Sequence, residues 1–410
     1  MDKSMHTVTL DYDKCKGCVS CMKRCPTEAI RVRNGKAKVL YERCIGCGEC
    51  VRRCPHQAKL PAYDKFETIK NFKYKIALPA PSLYGQFNNL DSIDRVLNGL
   101  IKIGFDEVFE VSAGAELITD ATHRMIAQDN LKMPIINSAC PAVVELINMC
   151  FKSLKGNLLQ IKAPVDVAAQ IARENAIKRG IPASDIGVFF ISPCPAKVFA
   201  LKTGMCFKKP IIDGVLAISE VYFKLNEVLK DLVDIKPLAK SGSQGINWGV
   251  TGGEAEGTNM DRYLAADGVE NVLQVLHDME NGKLDYIDFV ELNACPGGCV
   301  GGVLNIENPF VARARIRNLK SKLKNKVSSF EEVNKPLDFY RWEEQLEVKN
   351  VFALDDNRVL ALHKMEEIEK ILETLPMLDC GSCGAPSCRA FAEDVVNGEV
   401  DKDGCVRKEK

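Results

Sequence analysis

From about residue 70 onward, short apolar runs alternate with stretches of helical periodicity. Residues 74–78 read as a strand. Asp91 and Ser92 stand as caps before Ile93, Val96, Leu97, Leu100 and Ile101, whose i, i+3, i+4, i+7, i+8 spacing predicts an amphipathic helix. Residues 105–111 read as the next strand, 166–179 as a helix closed by Gly180, and 186–191, 213–218 and 286–292 as further strands. Repeated strand–helix units predict an α/β domain, two-lobed, with largely parallel sheets flanked by helices. Before residue 70 the pattern is shorter. Residues 29–32 and 37–40 flank Asn34-Gly35, a hairpin signal. A basic helical stretch over 313–326 reads as a solvated face, and beyond Pro336 a smaller unit begins, with helices around 366–375 and through Phe391, Val395 and Val396. The expected boundaries are 1–65, 70–340 and 345–410. The longest apolar runs are strand length, far short of the roughly 20 residues of a membrane helix. Residues 1–7 contain no apolar signal region, so no membrane span and a cytoplasmic protein are expected.

Composition adds one anomaly. Of 410 residues, 46% are hydrophobic and 27% charged, a globular balance. The 55 basic and 55 acidic side chains cancel, which argues against nucleic acid as a partner. Against 5 His and 2 Trp stand 18 Cys. In a reducing compartment that thiol usage points to metal, and the scarcity of histidine favours iron–sulfur clusters over zinc.

Two cysteine runs share one spacing: Cys15-x2-Cys18-x2-Cys21-x3-Cys25-Pro26 and Cys44-x2-Cys47-x2-Cys50-x3-Cys54-Pro55. This is the run of bacterial two-cluster ferredoxins, in which the fourth cysteine crosses to the other cluster. One [4Fe–4S] cluster is expected on Cys15, Cys18, Cys21 and Cys54, the other on Cys44, Cys47, Cys50 and Cys25. Two zinc knuckles are the competing reading.

Three apolar runs read as strands and end in cysteines: Ile135-Ile136-Asn137-Ser138-Ala139-Cys140-Pro141, 188–191 leading into Ser192-Pro193-Cys194-Pro195-Ala196-Lys197, and 289–292 leading into Asn293-Ala294-Cys295-Pro296-Gly297-Gly298-Cys299. Ligands of open α/β sheets bind beyond the carboxyl ends of strands. One such cysteine alone is more often a small core residue. Four of them, each beside Pro or Gly, are a ligand set for one cubane.

These segments resemble the three signature motifs of the [FeFe]-hydrogenase catalytic domain, over roughly residues 74 to 320. The resemblance implies that Cys140, Cys194, Cys295 and Cys299 hold a [4Fe–4S] cluster. It implies that Cys299 bridges to a two-iron subsite with CO, cyanide and dithiolate ligands, supplied by dedicated maturation. It implies further that Ala80-Pro81-Ser82 faces one cyanide and Lys197 pairs with the other, so that H2 and protons are the substrates and a ferredoxin is the redox partner. Trp248-Gly249-Val250-Thr251-Gly252-Gly253 is similar to another segment of the family. It is not a phosphate loop, since no Gly-Lys-Ser/Thr follows.

The chain departs from the fast members of that family. Ala139 stands where they carry a proton-shuttling cysteine, and a methyl group transfers no proton. Ala200 stands where a glutamate is usual, Asn293 where a methionine is, and the paired glutamates usual near residues 115–120 are missing. This pattern is similar to the family's sensory type and implies slow turnover. Such a protein would have a kinase or phosphatase as signalling partner, or a PAS module after the C-terminal unit. Cys206 is a candidate substitute donor, though it reads more readily as a loop thiol, and Cys150 reads as core packing. The C-terminal Cys380-x2-Cys383-x4-Cys388, with Cys405 downstream, fits a further [4Fe–4S] cluster, with zinc as the alternative. A non-catalytic electron-transfer or cluster-assembly scaffold without the two-iron subsite is the competing function. Lys197 and Ala80-Pro81-Ser82 argue against it.

Overall fold

A computed structural model describes residues 7–323 and 335–407. The signal-peptide reading rests on residues of which the first six lie outside that range, as does the basic stretch after Leu323.

Among the described residues eleven strands form four sheets. Near the N-terminus β1 (Val8–Leu10) pairs antiparallel with β4 (Lys59–Pro61), and β2 (Ile30–Arg33) pairs antiparallel with β3 (Lys36–Val39). The turn between β2 and β3 is Asn34-Gly35, both at positive φ, as the tightest hairpin turns require. The main sheet has four parallel strands in the order β6 (Glu107–Val108), β5 (Tyr74–Pro79), β8 (Ile186–Ser192), β9 (Gly214–Ala217). A second parallel sheet runs β10 (Tyr263–Asp267), β11 (Phe289–Asn293), β7 (Ile135–Ile136). Each parallel sheet carries its own buried core, and the C-terminal unit has a third. β8 is buried along its whole length, as a central parallel strand covered on both faces must be.

The helix Ile93–Lys102 forms as its spacing predicts, and Ser92 accepts a hydrogen bond from the Asp94 N–H. Ile101 is the exception, being exposed. The helix expected over 166–179 begins earlier and runs Pro164–Lys178, because Pro164 suits a first helical position. The strand expected over 105–111 shrinks to Glu107–Val108. Buried Glu110 instead accepts from the Lys240 and Ser241 N–H groups, and the chain turns into the helix Val111–Gln128. Cys150 is not core: it ends the helix Pro141–Cys150 and is exposed, beyond the face that buries Val143, Leu146 and Ile147. Among the described residues no helix is long and apolar enough to cross a membrane.

Phe189 of β8 carries much of the main core. Its ring packs edge-on to Phe72 at 5.6 Å and against Phe105 at 6.3 Å between centroids, with no exposure. Phe189→Ala is expected to cost about 3–5 kcal/mol of stability, read by anaerobic denaturant titration.

Candidate functional site

β7, β8 and β11 run parallel within their sheets and deliver their cysteines just beyond their carboxyl ends. Cys140 and Cys194 each sit at the N-cap of a helix whose first residue is proline, Pro141–Cys150 and Pro195–Thr203. That position aims backbone N–H groups and the positive helix end at the sulfur. Cys295 and Cys299 lie on a tight loop through Gly297 and Gly298, both at positive φ. A Cβ on Gly298 would lie 2.6 Å from the Thr251 nitrogen, so only glycine fits there. Cys140, Cys295 and Cys299 all bear electrostatically on Cys194, so the four thiols face one another. Burial pushes Cys194 well up and Cys295 up, and Cys299 up to about 11 despite the cation of Lys197.

Lys197, on the helix after Cys194, donates to the Ala139 carbonyl at 2.8 Å. Burial opposes its charge, but Cys299, Cys194, Cys140 and Asp166 outweigh burial and hold it protonated. Lys197 shares a hollow with Ala80, Pro81, Ala139, Asn293 and Cys299. Ser82 is fully buried beside this wall, and its Oγ has no hydrogen-bond partner. An orphaned hydroxyl in a native interior calls for a ligand or a water. That unpartnered hydroxyl, the Lys197 ammonium and the four facing thiols fit a cubane carrying an anionic, hydrogen-bond-accepting subsite.

Two further residues of that hollow escaped the sequence reading. Glu254, in the helix Gly253–Gly257, and Glu291, in β11, both line it and bear on each other. Asn137 donates to Glu254 at 2.7 Å, and its Oδ1 accepts from the Leu292 N–H at 2.8 Å. Glu291 accepts from the Gly252 and Ala255 N–H groups and from Asn293 Nδ2. Burial and mutual repulsion raise Glu254, and burial raises Glu291 in spite of those donors. Two buried carboxyls facing each other retain a proton near neutral pH. The signal was in view: an acidic residue in the middle of the apolar run Phe289-Val290-Glu291-Leu292.

Lys197 also borders a second hollow, with Ser138, Asp166 and Cys206. Asp166 Oδ2 accepts from the Ala163 N–H at 3.0 Å, while buried Oδ1 has no partner. Cys206 is buried at positive φ, and burial and Asp166 push its thiol up to about 12.

In the N-terminal unit Cys21 is brought to Cys15, Cys18 and Cys54, and Cys47 to Cys25, Cys44 and Cys50. These are the crossed sets that the spacing implied. Cys380, Cys383, Cys388 and Cys405 line one small hollow of the C-terminal unit.

Comparison with known proteins accords with this geometry. The family "Iron only hydrogenase large subunit, C-terminal domain" matches residues 73–259 and 244–303. A 4Fe-4S dicluster domain matches residues 7–55, and an Fe-S cluster family matches 375–407. Iron hydrogenase 1 of Clostridium pasteurianum is 24% identical over 376 residues, 74% of this chain and 65% of that protein. A NADP-reducing hydrogenase subunit of Solidesulfovibrio fructosivorans is 27% identical over 255 residues, 50% of this chain and 44% of that one. The chain therefore spans less than two thirds of either relative. The [FeFe]-hydrogenase HydA1 of Chlamydomonas reinhardtii, in a solved variant, shares the fold with a TM-score of 0.52 at 17% identity, over 68% of this chain and 95% of that one.

Burial pushes Asp166 up to about 7, against an ordinary 3.8. The folded chain thus holds this proton where the unfolded chain has released it, so Asp166 costs stability increasingly as pH rises from about 4 to about 7. At about 1.4 kcal/mol per unit the span is a few kcal/mol. Asp166→Asn is expected to flatten this fall, measured by urea unfolding at pH 5 and pH 8. An unchanged difference between the two would refute the assignment.

Proposed function

The chain belongs to the iron-only hydrogenase family, and from that premise we propose that it activates H2 reversibly at an H-cluster, slowly, in the service of H2 or redox sensing. The observation that carries the reading is the hollow that joins Cys299, Lys197 and Pro81 while Ala139 offers it only a methyl group. In this reading Cys140, Cys194, Cys295 and Cys299 hold the cubane, and Cys299 also meets the two-iron subsite. That subsite, when bound, supplies the heterolytic chemistry of H2. Lys197 Nζ and Ser82 Oγ orient its diatomic anions, a charge-assisted contact for the first and a neutral one for the second. Val111, Val165 and Phe190 line the same hollow and exclude water.

The proton needs a carrier, and position 139 has none. The Glu254 carboxyl is placed to take it: it lies on the hollow, is fixed by Asn137, and shares a retained proton with Glu291. A carboxyl held near neutrality is matched to proton transfer at working pH. This proton store does not replace a thiol at Ala139, which agrees with slow turnover. The remaining clusters carry electrons to a ferredoxin-type partner, and a kinase, phosphatase or PAS module would read the redox state. The three units proposed are 1–65, 70–340 and 345–410, in a cytoplasmic protein.

Infrared spectra of matured protein are expected to show bands of metal-bound CO and cyanide. Their absence would leave the non-catalytic scaffold as the better reading. Glu254→Gln and Glu291→Gln are expected to keep those bands while slowing H2 oxidation and evolution by roughly 100-fold, the low end of the usual span for losing a general acid–base.

A further inference from the structure

The cysteine sets of this chain are not scattered over the surface. At one end the N-terminal unit meets the hydrogenase fold. Arg52 Nη2 donates to the Gly301 carbonyl at 2.9 Å, and its guanidinium bears on the Cys295 thiol. A Cβ on Gly48 would lie 2.8 Å from Val303, and one on Gly46 would lie 3.0 Å from Ala196 Cα. Gly46 and Gly48 flank Cys47. The Cys25–Cys44–Cys47–Cys50 set therefore lies against the loops that carry Cys194, Cys295 and Cys299.

At the other end the N-terminal unit meets the C-terminal four-cysteine loop. The Val32 N–H donates to the Gly384 carbonyl at 2.8 Å, and Arg33 Nη1 donates to the same oxygen at 2.7 Å. Lys23 Nζ donates to the Pro386 carbonyl at 2.8 Å and also to Asp379. A Cβ on Gly381 would lie 3.0 Å from Met22 Cε and 3.5 Å from Val19 Cγ1. Val19 follows Cys18, and Met22 follows Cys21. Asp394 closes the interface: its Oδ2 accepts from Arg31 Nε at 2.7 Å and also from Arg33. The loop with Cys380 and Cys383 is thus seated on the Cys15–Cys18–Cys21–Cys54 set, and only small or flexible side chains intervene. Cys380 itself is exposed, with Leu378 and Val406 exposed nearby.

We propose that the C-terminal four-cysteine unit is the electron port of this chain. The order runs from the port to the Cys15–Cys18–Cys21–Cys54 cluster, then to the Cys25–Cys44–Cys47–Cys50 cluster, then to the cubane of Cys140, Cys194, Cys295 and Cys299. Oxidation of one H2 gives two protons and two electrons. The electrons travel singly, each cubane gaining and then losing one, and leave at the exposed loop to a one-electron carrier protein. Proton reduction runs the order backwards. The proposal rests on the iron–sulfur reading of the cysteine sets. It does not need the two-iron subsite, so its failure and that of the hydrogenase reading are separable.

The test uses the full chain with its cubanes loaded and no two-iron subsite. Electron paramagnetic resonance of the dithionite-reduced protein is expected to show spin–spin broadening between neighbouring clusters. The double substitution Cys383→Ser/Cys388→Ser should remove the C-terminal cluster and sharpen the signal of the Cys15–Cys18–Cys21–Cys54 cluster. Asp394→Ala touches no cysteine; it should keep the iron content and weaken the same broadening. With reduced ferredoxin as donor, stopped-flow reduction of the remaining clusters should slow at least tenfold in the double variant. A Cys15–Cys18–Cys21–Cys54 signal that does not sharpen at all on loss of the C-terminal cluster, or an unchanged reduction rate, would overturn the proposal.

Discussion

A thiol taken out of water resists ionisation, and four that face one another resist it more. This constraint governs the site. Cys194, Cys295 and Cys299 are all raised by burial, and the nearby cations, Lys197 for Cys194 and Cys299 and Arg52 for Cys295, do not reverse the shift. Such a set is stable as thiolates only around a strongly cationic body, so under the proposed iron–sulfur reading folding of this region and loading with iron would be one equilibrium. The parallel sheets serve it directly. β7, β8 and β11 end close together, and proline at the first turn of two following helices fixes where the sulfurs point. The positive-φ glycines at 297 and 298 let the last cysteine fold back to join the others.

Positions 139 and 200, alanine in this chain, bring no acid–base group to the site. Carboxyl groups come instead from elsewhere in the fold: Glu254 and Glu291 from the second sheet and its neighbouring helix, Asp166 from the first turn of Pro164–Lys178. Asp166 and Glu254 also bear on Lys197, beside the Ala139 carbonyl and the thiols. A buried ammonium needs such compensation to stay charged.

Much of this was legible in the chain. Cysteine spacing is a local property, and it gave the crossed sets of the N-terminal unit because the ligands of a cubane are dictated by short loops. β5 and β8 were legible because central parallel strands are continuously apolar. β6 was not: its length is set by Glu110, whose partners Lys240 and Ser241 lie far along the chain. The same holds for Cys150, where the helix ends one residue past its buried face, and for Cys206, whose burial depends on packing against the second lobe. Glu254 looks ordinary locally and Glu291 shows only as an acidic residue inside an apolar run; the fold alone places them on one wall.

Lys197 borders both hollows, one largely apolar and one carrying Asp166 and Cys206. Its side chain therefore belongs to both, and its charge is felt on one side by the thiols and on the other by Asp166. Shortening this residue would remove at once the cation beside the thiols and the wall that the two hollows share.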